Sequence, residues 1–223
     1  MRNDIVVAVD GPAGSGKTTV SKAVAKALEM RHFDTRATYR AMTVALLRRG
    51  VSLEDKDALL RALDNIQIVI AMISSDRNSL GVAVDGRFLN AELRSPEVNA
   101  AVAIVAAIPT VRTYLTVLQR TTIGRGGVVA EGRDIGTVVW PQAAVKIFLT
   151  ADPEVRAQRR SGLLRGSETR ADVARRDFLD SERKISPTSI APDAKVIDST
   201  FKSVDEVVKE VEIMVISARS QSR

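Results

Sequence analysis

The stretch Gly11-Pro12-Ala13-Gly14-Ser15-Gly16-Lys17-Thr18 satisfies G-x-x-x-x-G-K-S/T at every fixed position and runs on into Thr19. Glycines at this spacing let successive backbone N–H groups curve around a polyphosphate, and a helix starting there adds its dipole. Lys17 is expected to reach the β- and γ-phosphates and Thr18 to hold Mg²⁺. Four clusters stand out beyond the loop: Tyr39-Arg40, Arg112, Gly132-Arg133-Asp134, and Arg176-x-x-x-Asp180-x-x-Arg183. On a helix, positions 176, 180 and 183 share roughly 60° of arc. Such a face is either a solvated salt-bridge ladder or an anion grip. Arg133 and Asp134 at the end of a predicted strand favour the grip, because strand carboxyl ends are where α/β sheets bind ligands. A phosphate acceptor, with a second pKa of about 6, is already largely dianionic at neutral pH. It needs no general base, only cations that hold two polyanions in line.

These residues need a scaffold, and the chain supplies its signals. Ile5–Val9 is an apolar run suited to a strand buried on both faces, and the glycine-rich stretch follows it. Val20, Val24, Ala27 and Leu28 then recur at helical spacing without proline or glycine. Later strand candidates are Gly127–Glu131, Val145–Leu149 and Lys195–Asp198, with helical stretches between them, the alternation of a parallel α/β sheet. The last helix opens on the capping box Ser203-Val-Asp-Glu206 and is expected to turn Val204, Val207, Val208 and Val211 inward. Asn65–Leu89 breaks the pattern: short strand-like runs split by the turn-rich Ser74–Ser79 predict a small antiparallel insert. His32, before Phe33 at a strand start, reads as structural.

Composition narrows the class. The chain has 223 residues, no cysteine and one histidine, which excludes disulfide scaffolds, thiol nucleophiles and thiolate metal sites. One domain with inserted parts is expected, burying roughly 70% of its extended surface. The opening residues lead straight into a strand-like run with no signal-type apolar region, so a soluble, cytoplasmic protein without membrane contact is expected. The formal charge is +6, and the window Arg156–Arg176 supplies +5 of it through seven arginines and no lysine. Arginine suits planar, bidentate phosphate contacts. A GTPase would carry N-K-x-D and a motor ATPase an apolar run ending in Asp-Glu; neither is present. A basic RNA-binding protein is disfavoured by 4% aromatics, few for base-stacking platforms. A small kinase or an ATP-binding module without turnover remains.

The blocks DGPAGSGKTT, FDT-x-A-x-YRAMT, AAIP-x-VR-x-x-L-x-x-x-QR, EGRDIGTVVWP-x-A-x-VKIFL and RRDFLD-x-x-R resemble bacterial cytidylate kinases, in family order, from about Val6 to Thr200. The resemblance implies a P-loop nucleoside-monophosphate-kinase fold of class α/β. That fold has a five-stranded parallel core sheet flanked by helices, a small antiparallel insert and a helical lid. It divides the chain into a core of about 1–34, 100–151 and 185–223, a monophosphate-binding part of about 35–99 including the insert 65–89, and a lid of about 152–184. It implies transfer of the ATP γ-phosphoryl to CMP or dCMP with Mg²⁺, by a monomer that binds no specific nucleic acid. It places Thr35, Tyr39 and Arg40 in the monophosphate pocket, and Arg40, Arg133 and Arg183 on the CMP phosphate. Arg112 and Asp134 face the cytosine, and Arg176 and Asp180 the sugar. Gly11–Thr19 hold ATP with the lid arginines Arg156, Arg159 and Arg160, and Lys17, Arg133 and Arg183 are the catalytic cations.

The chain departs from the family pattern in three places. Arg36 stands where D-S/T-G-A-x-Y-R has glycine; it is either strained at positive φ or a cation added beside the acceptor. Ala103 replaces a serine whose hydroxyl touches the base, and is expected to loosen base selection. Thr188 replaces a leucine after Pro187, and Ser161–Ser167 is short for a lid. The alternatives are a kinase with relaxed base choice acting on UMP or CMP, or another small P-loop kinase.

Overall fold

The computed structural model describes residues 4–73, 76–124, 126–163 and 188–221. They form two compact units, Met1–His32 with Arg125–Arg223, and Phe33–Gly124. Packing draws its boundary at Gly124, whereas the family resemblance leads to the expectation of one near residue 100.

The first unit is built on the buried apolar run. β1 (Val6–Asp10) is buried at every position. It pairs in parallel with β6 (Val128–Glu131), Val9 opposite Glu131, and with β7 (Val145–Thr150), which in turn pairs in parallel with β8 (Lys195–Asp198). β2 (Arg31–Asp34) lies next to β6, giving the order β2-β6-β1-β7-β8. A five-stranded core sheet of parallel pairing is what the family resemblance implies. α1 (Lys17–Ala27) turns Val20 and Val24, one helical turn apart, into a core with Val7, Val9, Ile147 and Leu149. α6 (Pro153–Leu163) starts on proline, whose missing N–H costs nothing at a first helical position. α7 (Val204–Gln221) is the last helix, and its capping box forms, Glu206 Oε2 accepting from Ser203 N at 2.8 Å and Ser203 Oγ from Glu206 N at 3.2 Å. Val207, Val208, Val211 and Val215 are buried, whereas Val204, expected to turn inward, is 37% exposed at the first position after the cap.

The second unit holds α2 (Arg36–Arg48), α3 (Lys56–Asn65), an antiparallel β3 (Ile68–Ile73), β4 (Asp76–Val84) and β5 (Arg87–Phe88), then α4 (Pro96–Ala107) and α5 (Pro109–Ile123). Asp55 and Ser95 cap α3 and α4 by accepting from Ala58 N and Val98 N. Ile68 opposes Val84 and Ile70 opposes Val82. Ile68, Val82 and Val84 pack with Met42, Leu46, Leu63, Val111 and Leu115 in one core. Of the turn expected at 74–79, residues 76–79 belong to β4, which begins at Asp76. The Asp76 carboxylate satisfies Asn78 N and Ser79 Oγ locally, and the register shifts after Met72.

Candidate active site

Between β1 and α1 the loop Gly11–Thr18 closes on itself. Gly11 has φ +146°, and a Cβ there would lie 2.0 Å from the Leu149 carbonyl oxygen; at Gly14, φ +78°, it would meet the Arg156 carbonyl oxygen at 2.6 Å. Neither position can carry a side chain without moving backbone. Gly16 caps α1 with no side-chain acceptor, so the first-turn N–H groups keep the dipole of the helix at the loop. Ser15 Oγ donates to Pro12 O at 3.1 Å, and the buried Lys17 Nζ donates to Pro12 O at 2.5 Å and to Ser15 Oγ at 3.3 Å. Thr19 is exposed on the first turn.

Two of the three expected lid arginines brace this loop. Arg156 is 8% exposed and donates to Ala13 O and Ala151 O, both at 3.1 Å. Arg159 holds Ser199 through its hydroxyl at 2.9 Å and its carbonyl at 2.8 Å, while Ser199 Oγ donates to Ser15 O at 3.1 Å. Arg160 is half-buried on the same helix.

The strand ends carry the acids. Asp10, last in β1, accepts from Ile135 N at 2.8 Å and from Gly136 N at 2.7 Å. It thereby ties down the short π-helical turn Ile135–Val139, which follows Arg133 and Asp134. Burial pushes the Asp10 carboxyl up to about 6 against these two backbone bonds; the nearby Asp134 charge adds to the rise and Lys17 opposes it. Glu131, last in β6, is fully buried; its Oε2 accepts from Thr18 Oγ1 at 3.1 Å and its Oε1 lies 3.1 Å from His32 Nε2. From the sequence no role in the site is expected of Asp10 or Glu131. Their signal is an acid closing an otherwise apolar strand, VVAVD and VVAE, where a carboxylate must be there for a partner. The Thr18 hydroxyl and the Glu131 carboxylate are oxygen donors of the kind that suits a hard divalent cation arriving with a polyphosphate.

In the second unit, Thr35 is 3% exposed and sits at the start of α2. The buried Gln119 donates to Thr35 O at 3.3 Å and to Thr38 Oγ1 at 2.9 Å, binding α5 to that corner. One turn on, the Arg112 guanidinium stands 5.3 Å from the centre of the Tyr39 ring and donates to Ala106 O at 3.1 Å. Arg40 donates to Leu93 O and Asn99 Oδ1, both at 2.7 Å. Arg36 is not strained: the only non-glycine residues with positive φ among those described are Glu29 and Asp85. It opens α2 and pairs with both Asp34 oxygens, at 2.9 and 3.2 Å. Ala103 is half-buried on α4.

A cytidylate kinase family model matches residues 7–217, through the phosphate loop, both acid-ended strands and the Tyr39–Arg112 pair. The chain belongs to the cytidylate kinase family. It is 45% identical over 224 residues to a cytidylate kinase of Mycolicibacterium paratuberculosis, covering 96% of each chain. It is 47% identical over 213 residues to one of Mycobacterium leprae, covering 92% of each. Among solved structures, shikimate kinase from Acinetobacter baumannii superposes with a TM-score of 0.52 at 14% identity, covering 96% of this chain and 93% of its own. That likeness concerns the fold alone: an α/β kinase fold of the P-loop type. Of the family motifs, Arg176, Asp180 and Arg183 lie outside the described residues, as does most of the expected lid. No single helix among the described residues is long and apolar enough to cross a membrane.

Proposed function

We propose that this kinase transfers the γ-phosphoryl group of ATP to CMP or dCMP, releasing ADP and CDP or dCDP. The observation that carries the reading is the loop itself. A buried Lys17, a Thr18 hydroxyl on the buried Glu131 carboxylate, and backbone N–H groups at the start of α1 form a polyphosphate cradle braced by Arg156 and Arg159. Lys17 binds the β- and γ-phosphates, exchanging its bond to Pro12 O for them. Thr18, backed by Glu131, would hold a Mg²⁺ ion arriving with ATP, which would supply positive charge against that developing on the phosphates. The acceptor phosphate, largely dianionic at neutral pH, attacks without a general base. Arg40, Arg133 and Arg183 are assigned to that phosphate, Arg176 and Asp180 to the sugar, and Thr35 and Tyr39 to the pocket wall by matching motifs. Arg112 and Asp134 take the base. Asp134 accepts from the cytosine amine, whereas uracil would set an acceptor oxygen against it, a mismatch that buried polar sites reject strongly. Asp10 is a positioning residue for this step, since it fixes the turn that follows Asp134.

The test is ADP release with ATP and Mg²⁺ against CMP, dCMP, UMP, AMP and GMP. Turnover confined to CMP and dCMP is expected. Equal turnover on UMP would remove the role given to Asp134 and implicate Ala103. No turnover on any acceptor would leave only a nucleotide-binding loop.

A further inference from the structure

His32 has the look of a core residue, yet its contacts run to the phosphate loop. Glu131 is fully buried, and a carboxylate shut away from water must find its donors inside the protein. It finds His32 Nε2 on one oxygen and Thr18 Oγ1 on the other, each at 3.1 Å. The two oxygens are thus committed to different partners, and the carboxylate plane is pinned from both ends. Thr18 has a single hydroxyl proton; given to Glu131, it leaves the oxygen to meet a cation through its lone pairs. Stability alone accounts poorly for the arrangement. Burying a carboxylate is costly unless donors satisfy it, and apolar residues of the same volume would avoid that cost. Here, moreover, the contacts of Glu131 reach the threonine of the phosphate loop, 113 residues away in sequence. Position agrees: His32 is on β2, the strand beside β6, and 3% exposed, so it acts from behind the loop without touching nucleotide.

We propose that His32 is a positioning residue of the phosphate loop. It donates to Glu131 and so holds Thr18 in the orientation that ligates the divalent cation accompanying the nucleotide. The proposal rests on the loop being an ATP site. Partners of this kind, one step behind a ligand, commonly change metal affinity by about tenfold or more.

The experiment measures the dissociation constant of Mn²⁺ from the enzyme–ATP complex, counting free Mn²⁺ by electron paramagnetic resonance, and ATP affinity in EDTA by equilibrium dialysis. His32→Leu, which keeps the volume and removes the donor, is expected to weaken Mn²⁺ about tenfold and leave ATP affinity in EDTA unchanged. His32→Gln, with an N–H of similar reach, is expected to restore wild-type Mn²⁺ affinity. His32→Asn, whose amide stops short of Glu131, should behave as the leucine variant. Unchanged Mn²⁺ affinity in His32→Leu, an equal loss of ATP with and without the cation, or a glutamine variant no better than leucine each overturns the proposal. Thermal unfolding checks each variant; should the leucine protein not fold, the asparagine–glutamine contrast decides in the same way. A wild type that binds no ATP at all would instead defeat the kinase assignment, an outcome distinct from any of these.

Discussion

Asp10 is a carboxylate kept charged at a cost, and that cost sets a measurable pH dependence. Its carboxyl is raised from 3.8 to about 6 because burial outweighs the two N–H bonds from Ile135 and Gly136. The folded protein therefore keeps the Asp10 proton over a range in which the unfolded chain has already lost it. Stability contributed by this group is fully present below about pH 4 and is lost as pH rises through about 6. A rise of about 2 units at 1.36 kcal/mol each makes the loss about 3 kcal/mol, complete near pH 7. Asp10→Asn removes the titration. Its amide oxygen can accept from one of the two N–H groups while its NH₂ faces the other, adding a pH-independent penalty of about 1–3 kcal/mol. Urea unfolding of both proteins at pH 4, 5, 6 and 7 isolates the linkage as a difference, so that other titrating groups cancel. The wild-type advantage over Asp10→Asn should shrink by about 3 kcal/mol from pH 4 to pH 7. A difference that stays flat, or grows with pH, refutes the account of a desolvated acid. Activity is the wrong assay here, because the acceptor phosphate itself titrates at about 6.

Other consequences follow directly. Gly11→Ala drives a methyl group into the Leu149 carbonyl at 2.0 Å with φ at +146°, so the loop must shift; ATP affinity should fall more than tenfold, about 1.4 kcal/mol or more, in equilibrium dialysis. Lys17→Ala should cut turnover at least about 100-fold, the scale of removing one preorganised electrostatic donor, with the far-ultraviolet circular dichroism of the wild type. Full activity would sink the role given to Lys17. Asp134→Ala should lower kcat/KM for CMP about 10- to 150-fold, the loss of one hydrogen bond to a charged group, and leave ATP binding unchanged. It should also lower the Asp10 pKa, since Asp134 is one of the charges that raise it.

Much of the molecule is legible along the chain because its signals are local. The glycines of the phosphate loop, the apolar run before it and the 20/24 spacing after it lie within about twenty residues of each other, so motif and scaffold confirm one another in sequence. The capping box at Ser203 works for the same reason, since both of its hydrogen bonds span three residues. The antiparallel insert also follows from short runs and turn residues, although the Asp76 side chain takes over part of the expected turn. The family's blocks carry the fold and the phosphate chemistry without any knowledge of three-dimensional contacts.

What the chain by itself leaves undecided is everything set by long-range pairing and burial. Arg156, Arg159 and Arg160 read alike in sequence as lid cations, yet Arg156 and Arg159 are tied to Ala13 and Ser199, 143 and 40 residues away. Arg36 read equally as strained or as a spare cation, and only the backbone shows it opening a helix, paired with Asp34. Asp10 becomes a brace for a turn 125 residues on, and Glu131 a link between Thr18 and His32, only when parallel pairing sets Val9 opposite Glu131 and β2 next to β6. Residue type and spacing decide which groups can meet a polyphosphate. The strand order decides which buried acid finds which donor, because a carboxylate without water takes whatever partner the sheet brings within about 3 Å.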